Sequence, residues 1–94
     1  MQVHKADRFL TELETVVDFI AQDSWKRAEK FANELNSKIM ELPRFPYKCR
    51  QSLKSDDAAI RELIYEGYVI PYRVDSVKGM IVILGIFSEN EWKL

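Results

Sequence analysis

From Lys5 to Ala21 the apolar residues Phe9, Leu10, Leu13, Val16, Val17 and Ile20 return every three or four positions, with Asp7, Thr11, Glu14, Thr15 and Asp18 between them. That spacing places the apolar side chains on one stripe and predicts an amphipathic helix. Asp23 or Ser24 then stands where a capping side chain is wanted. The helical spacing resumes with Trp25, Ala28, Phe31, Ala32, Leu35, Ile39 and Leu42, and Pro43 forbids its continuation. A link of two or three residues makes the helices antiparallel neighbours, an αα-hairpin whose stripes need a common surface to cover.

The segment PRFPYKCRQSLKSDDAA that follows has two prolines and no period, and it reads as a connecting loop. From Ile60 the period changes to two: Ile60, Glu62 and Ile64 alternate with Arg61, Leu63 and Tyr65. Glu66-Gly67 supplies a turn, and Tyr68 to Asp75 forms a second strand in which Pro71 is awkward because it cannot donate to a ladder. Ser76 to Gly79 makes another turn. MIVILGIF reads as a strand buried on both faces, and SENEWKL as a polar tail. With a short first strand at Gln2 to His4, the expected fold is α+β: a helical hairpin packed on a small antiparallel sheet, one domain over residues 1–94.

Ninety-four residues are near the lower end of what one core stabilises unaided, so a stabilising partner fits the length. The 47% hydrophobic content is enough for a packed core. Fourteen Lys+Arg against 15 Asp+Glu remove any general pull toward nucleic acid, so a nucleic-acid reading must rest on local clustering. Such a cluster exists. Arg44, Lys48, Arg50 and Lys54 run with no acid before Asp56 and have Phe45 and Tyr47 among them. This loop is either a solvated cover for the edge of the core, a cradle for RNA phosphates, or a seat for an acidic peptide. Arg61 and Arg73 lie inside strands, either poised for a ligand or paired with a carboxylate such as Glu62 or Asp75.

Other chemistry has little material. His4 is the only histidine and Cys49 the only cysteine, which leaves no two-histidine or multi-cysteine metal site and no disulfide within the chain. Three glycines form no phosphate loop, and no cofactor is expected. No stretch approaches the roughly 18 apolar residues of a membrane span, and MQVHKADRF lacks a signal-peptide core. The expectation is a cytoplasmic chain without leader or membrane contact.

The residues IRELIYEGYVIPYRVD, followed by an apolar final strand, resemble the RelE/ParE superfamily, in which an arginine opens a strand and Gly-Tyr and Tyr-Arg-Val mark the next. The AxxFxxxL pattern at Ala28, Phe31 and Leu35 and the LPRFPY segment at Leu42 to Tyr47 extend the resemblance over the whole chain. It implies the toxin of a type II toxin–antitoxin pair, with an apolar groove covered by a cognate antitoxin and with operator DNA reached only through that antitoxin. Superfamily members have two kinds of target: RelE-like chains cut messenger RNA on the ribosome, and ParE-like chains poison DNA gyrase without cutting anything.

The departures favour the second branch. Ile64 stands where RelE-like ribonucleases carry an arginine, and Ser88, Glu89 and Glu91 stand where a basic residue follows the last strand. Carboxylates beside a scissile phosphate oppose the electrostatic stabilisation that cutting needs. The C-terminal acid/base residue is absent, and Trp92 cannot transfer a proton. Arg61, seven residues before Tyr68, and Arg73 match the ParE-like pattern instead. The resemblance therefore implies a gyrase-binding toxin with Arg61, Arg73, Tyr65, Tyr68 and Trp92 as target- or partner-binding residues. The alternatives are a ribosome-dependent mRNA endoribonuclease built on Arg50, Lys54, Arg61 and Arg73 with Tyr65 or Tyr68 as acid, and a fold-retaining domain without toxicity.

Overall fold

A computed structural model describes residues 1–89. The elements are β1 (Gln2–Lys5), α1 (Asp7–Asp23), α2 (Trp25–Glu41), a 3-10 turn (Leu42–Arg44), β2 (Arg50–Gln51), β3 (Ile60–Tyr65), β4 (Tyr68–Asp75), β5 (Met80–Ile83) and β6 (Phe87–Ser88). One residue, Ser24, joins the helices, a shorter link than the spacing suggested. Its backbone N–H donates to the Ile20 carbonyl at 3.1 Å and ends α1, while its hydroxyl accepts from the Arg27 N–H at 3.2 Å and opens α2. Both helices shift by a residue or two from the expected ends, and Pro43 falls in the 3-10 turn just after α2.

The sheet runs β1-β5-β4-β3-β2, with β6 beside β4. β3, β4 and β5 form the expected antiparallel meander. The Glu66-Gly67 turn has φ of 51° and 80°, the paired positive values of a two-residue hairpin turn. The sheet is nevertheless mixed rather than wholly antiparallel, because β1 lies parallel to β5 in register Gln2↔Met80 to Lys5↔Ile83. The connection between them, the helical hairpin followed by β2, β3 and β4, is long enough for a parallel pair. The MIVILGIF run is not one strand. It breaks after Ile83, and β6 resumes against Tyr68 and Val69. Pro71 fits for that reason: its carbonyl accepts from Leu84 N at 2.9 Å, so the side of the strand lacking an N–H faces the gap between β5 and β6.

Register sorts the side chains. Leu63, Tyr65, Tyr68, Ile70, Tyr72, Val74, Ile81 and Ile83 share the helix-facing side with Phe9, Phe31, Leu35 and Ile39 in one core. Glu62, Ile64, Val69 and Arg73 point the other way. Among the described residues no helix is long and apolar enough to cross a membrane.

Candidate functional site

α2 lays Phe31 between two tyrosines that the tight Glu66-Gly67 turn brings side by side: ring centroids lie 5.3 Å from Tyr65 and 5.5 Å from Tyr68, the latter edge-on at 71°. Phe19, near the end of α1, is 67% exposed and closes the outer wall. The result is an open trough of about 380 Å³ at the hairpin tip, with aromatic walls, Arg27 and Lys30 on one rim, and Glu34 and Glu66 beside them. The Tyr65 hydroxyl donates to Glu34 Oε2 at 2.6 Å. Burial, and then the Glu34 carboxylate, push the Tyr65 phenol from 10.0 up to about 12. This phenol holds its proton and serves as a donor rather than as an acid near neutrality.

The other predicted residues are dispersed. Arg61 is on the helix-facing side, across from Tyr72, and is not paired with Glu62. Its guanidinium donates to the carbonyls of Ala58 at 3.0 Å and Cys49 at 3.3 Å and stacks 5.1 Å from the Tyr47 ring. Arg73, on the opposite side, meets Asp57 at 3.3 Å rather than Asp75, an exposed pair that contributes little to stability. Arg50 Nε reaches Glu62 Oε1 at 3.0 Å, and Ser52 Oγ donates to the second oxygen at 3.0 Å. Glu62 is only 3% exposed, and these two partners are what make its burial tolerable. Lys54 Nζ sits 4.0 Å from the Phe87 ring on the same side. Trp92 lies outside the described residues.

The trough therefore joins Tyr65 and Tyr68 but neither arginine. Of the residues proposed for RNA cutting, Arg50, Lys54 and Arg73 lie on one side of the sheet and Arg61, Tyr65 and Tyr68 on the other. Sequence reading missed Phe19, Arg27, Lys30 and Glu34 as trough residues. Phe19 could have been noticed because it falls off the apolar stripe of α1.

The loop singled out for its cations is held in place. Tyr72 donates its hydroxyl proton to the Pro46 carbonyl at 2.8 Å, and Lys48 N donates to the Phe45 carbonyl at 3.0 Å. Burial and the neighbouring Cys49 thiol push the Tyr72 phenol well above its ordinary range. It too keeps its proton.

A search of curated proteins finds no match. Among solved structures, the fold is similar to a chain of the chromosomal ParDE TA system from P. aeruginosa, at TM-score 0.73 and 19% identity over 94% of this chain and 95% of that one. The family model for the ParE toxin of the type II toxin–antitoxin system, parDE, matches residues 3–91, and the chain belongs to that family.

Proposed function

We propose that this chain is a cytoplasmic growth inhibitor that binds and poisons DNA gyrase, and that a cognate antitoxin neutralises it by seating an apolar segment in the trough at the hairpin tip. The observation that carries the non-cutting reading is the separation of the candidate catalytic residues. Tyr68 stands against Phe31 on the helix side, while Arg50, Lys54 and Arg73 lie beyond the sheet. General acid catalysis needs the acid within hydrogen-bond reach of the atom it protonates. Membership in a toxin family supports the toxic role, and the ParDE likeness supports an antitoxin as the partner.

The trough suits a partner's side chains because its aromatic walls bury apolar surface while Arg27, Lys30 and Glu34 orient the polar flanks. Tyr65 and Tyr68 are its central contacts, and Arg73 offers an exposed cation to a separate surface. The test is induction of the chain alone in a bacterium, following plasmid supercoiling, DNA breaks and primer extension on abundant messages in one culture. The expected result is gyrase-trapped breaks with intact messages. Codon-positioned RNA cuts with normal supercoiling would overturn the reading, and normal growth would point to a fold that has lost its toxicity.

A further inference from the structure

Farther along α2 than the trough, and sharing no lining residue with it, a cleft of about 260 Å³ opens beside Phe45. Its floor and wall are Leu42, Leu63, Cys49 and the Phe45 ring, and its rim carries Lys38, Arg44 and Lys48 against one acid, Glu41. Phe45 also borders a wider hollow formed by Arg44 to Lys48, so its ring stands as a ridge, 67% exposed. Arg44 and Lys48 make no ion pair among the described residues.

An exposed phenylalanine on a slack loop would fold back onto the nearest apolar surface. This one is on a loop fixed at successive residues: Pro46 by the Tyr72 hydroxyl, Lys48 by the Phe45 carbonyl, and Cys49 by Arg61, whose guanidinium also backs Tyr47. Ordering these residues before binding removes part of the entropic cost of association. We infer that the cleft is a docking site for an acidic protein segment in which an apolar side chain, flanked by carboxylates, enters beside Phe45. The apolar side chain covers Leu42, Leu63 and the Phe45 face, and the carboxylates meet Lys38, Arg44 and Lys48.

The chemistry of the floor decides between this occupant and a nucleic acid. Both would satisfy the cations. A base inserted as far as the floor would set its polar edges against Leu42, Leu63, Cys49 and Phe45 while the charged side chains stay at the exposed rim, and burying those edges unpaired is costly. A leucine or phenylalanine carries no such edges. The inference is independent of the gyrase reading, since it concerns a different surface and holds whether or not the chain is toxic.

Fluorescence anisotropy of the purified chain with three labelled probes of matched charge tests it: a blocked hexapeptide with Leu-Phe between two acidic pairs, the same peptide with Gly-Gly in the centre, and pentathymidylate. The expected result is binding of the Leu-Phe peptide about tenfold or more tighter than either control. Phe45→Ala should reduce it to the level of the Gly-Gly peptide, and Arg44→Glu should weaken it by about tenfold or more. Phe45 and Arg44 are both exposed, so their replacement leaves the core intact, and circular dichroism checks this. Equal binding of the two peptides reduces the site to undirected charge attraction and overturns the proposal. So does tighter binding of pentathymidylate, an unchanged affinity in Phe45→Ala, or no binding of the Leu-Phe peptide at ~1 mM.

Discussion

α1 and α2 are each 17 residues long and both carry an apolar stripe, yet the fold uses them differently. α2 buries Ala28, Phe31, Leu35 and Ile39, whereas α1 buries Phe9 alone and leaves Leu13, Val16 and Ile20 half-covered. α2 lies over the centre of the sheet, with Phe31 between Tyr65 and Tyr68 and Glu34 bonded to the Tyr65 hydroxyl. α1 rests mainly on α2. Beyond Phe9, its bond to the sheet region runs from the Ile86 N–H to Glu12 Oε1 at 3.2 Å. Periodicity thus reports which face of a helix is apolar, and tertiary position decides how much of that face is covered. The half-covered stripe and Phe19 are what remain available to a partner.

The comparison is broken most directly by truncating a leucine on each helix. Leu35→Ala removes a 1% exposed side chain from the centre of the core and should cost about 3 kcal/mol, a fall in Tm of roughly 15 °C for a domain of this size. Leu13→Ala should cost about 1 kcal/mol, since much of that side chain already meets water. Denaturant unfolding of the two variants measures the difference. Equal costs would mean that α1 is covered in solution as fully as α2, for instance by self-association.

The Tyr65–Glu34 bond gives a second, smaller contrast, visible in alkali. Tyr65 ionises at about 12 in the fold and near 10.0 when unfolded, so the unfolded chain loses this proton first. The stability it contributes is whole below pH 10 and declines as pH rises toward 12. Tyr65→Phe should cost about 1 kcal/mol at neutral pH and then lose stability less steeply across that window, with Tyr72 supplying the remaining slope. Identical slopes for the two proteins between pH 10 and 12 would show that Tyr65 titrates unperturbed.

Much of this was legible in the chain. The helices and the three-strand meander declared themselves because periods of 3.6 and 2 are local, and Glu66-Gly67 announced the turn that sets Tyr65 beside Tyr68. What stayed hidden depends on partners distant in sequence. Gln2–Lys5 joins β5 in parallel through a contact some eighty residues away, and nothing in MQVHK names that neighbour. Glu62 alternates with Leu63 and Tyr65 and carries a charge, and neither fact announces burial. The two-residue β2 places Arg50 opposite it and, with Ser52, buries it. Arg61 and Arg73 each lie inside a strand, and the residues alone do not say whether they share a side of the sheet. The odd spacing between their partner positions in the β3–β4 register puts them on opposite sides. Phe19, Arg27 and Glu34 join the tyrosines only because a one-residue link folds the helices back over the turn.

The break after Ile83 supplies the finest test of how α1 is held. Gly85 lies where a Cβ would come 2.6 Å from Glu12 Oε1, the far end of a flexible side chain rather than backbone. Gly85→Ala therefore does not force the helix away. It pushes the carboxylate aside and leaves the Ile86 N–H without its acceptor, at a cost of about 1 kcal/mol. Gly85 has no positive φ that would penalise alanine by itself, and alanine also narrows the unfolded ensemble. In a Glu12→Ala background the clash and the bond are both already gone, so Gly85→Ala should then be neutral or slightly stabilising. The double-mutant cycle isolates the Glu12–Ile86 tether as the difference between the two costs. A Gly85→Ala cost that persists undiminished without Glu12 would locate the strain in the backbone rather than at the Glu12–Ile86 tether.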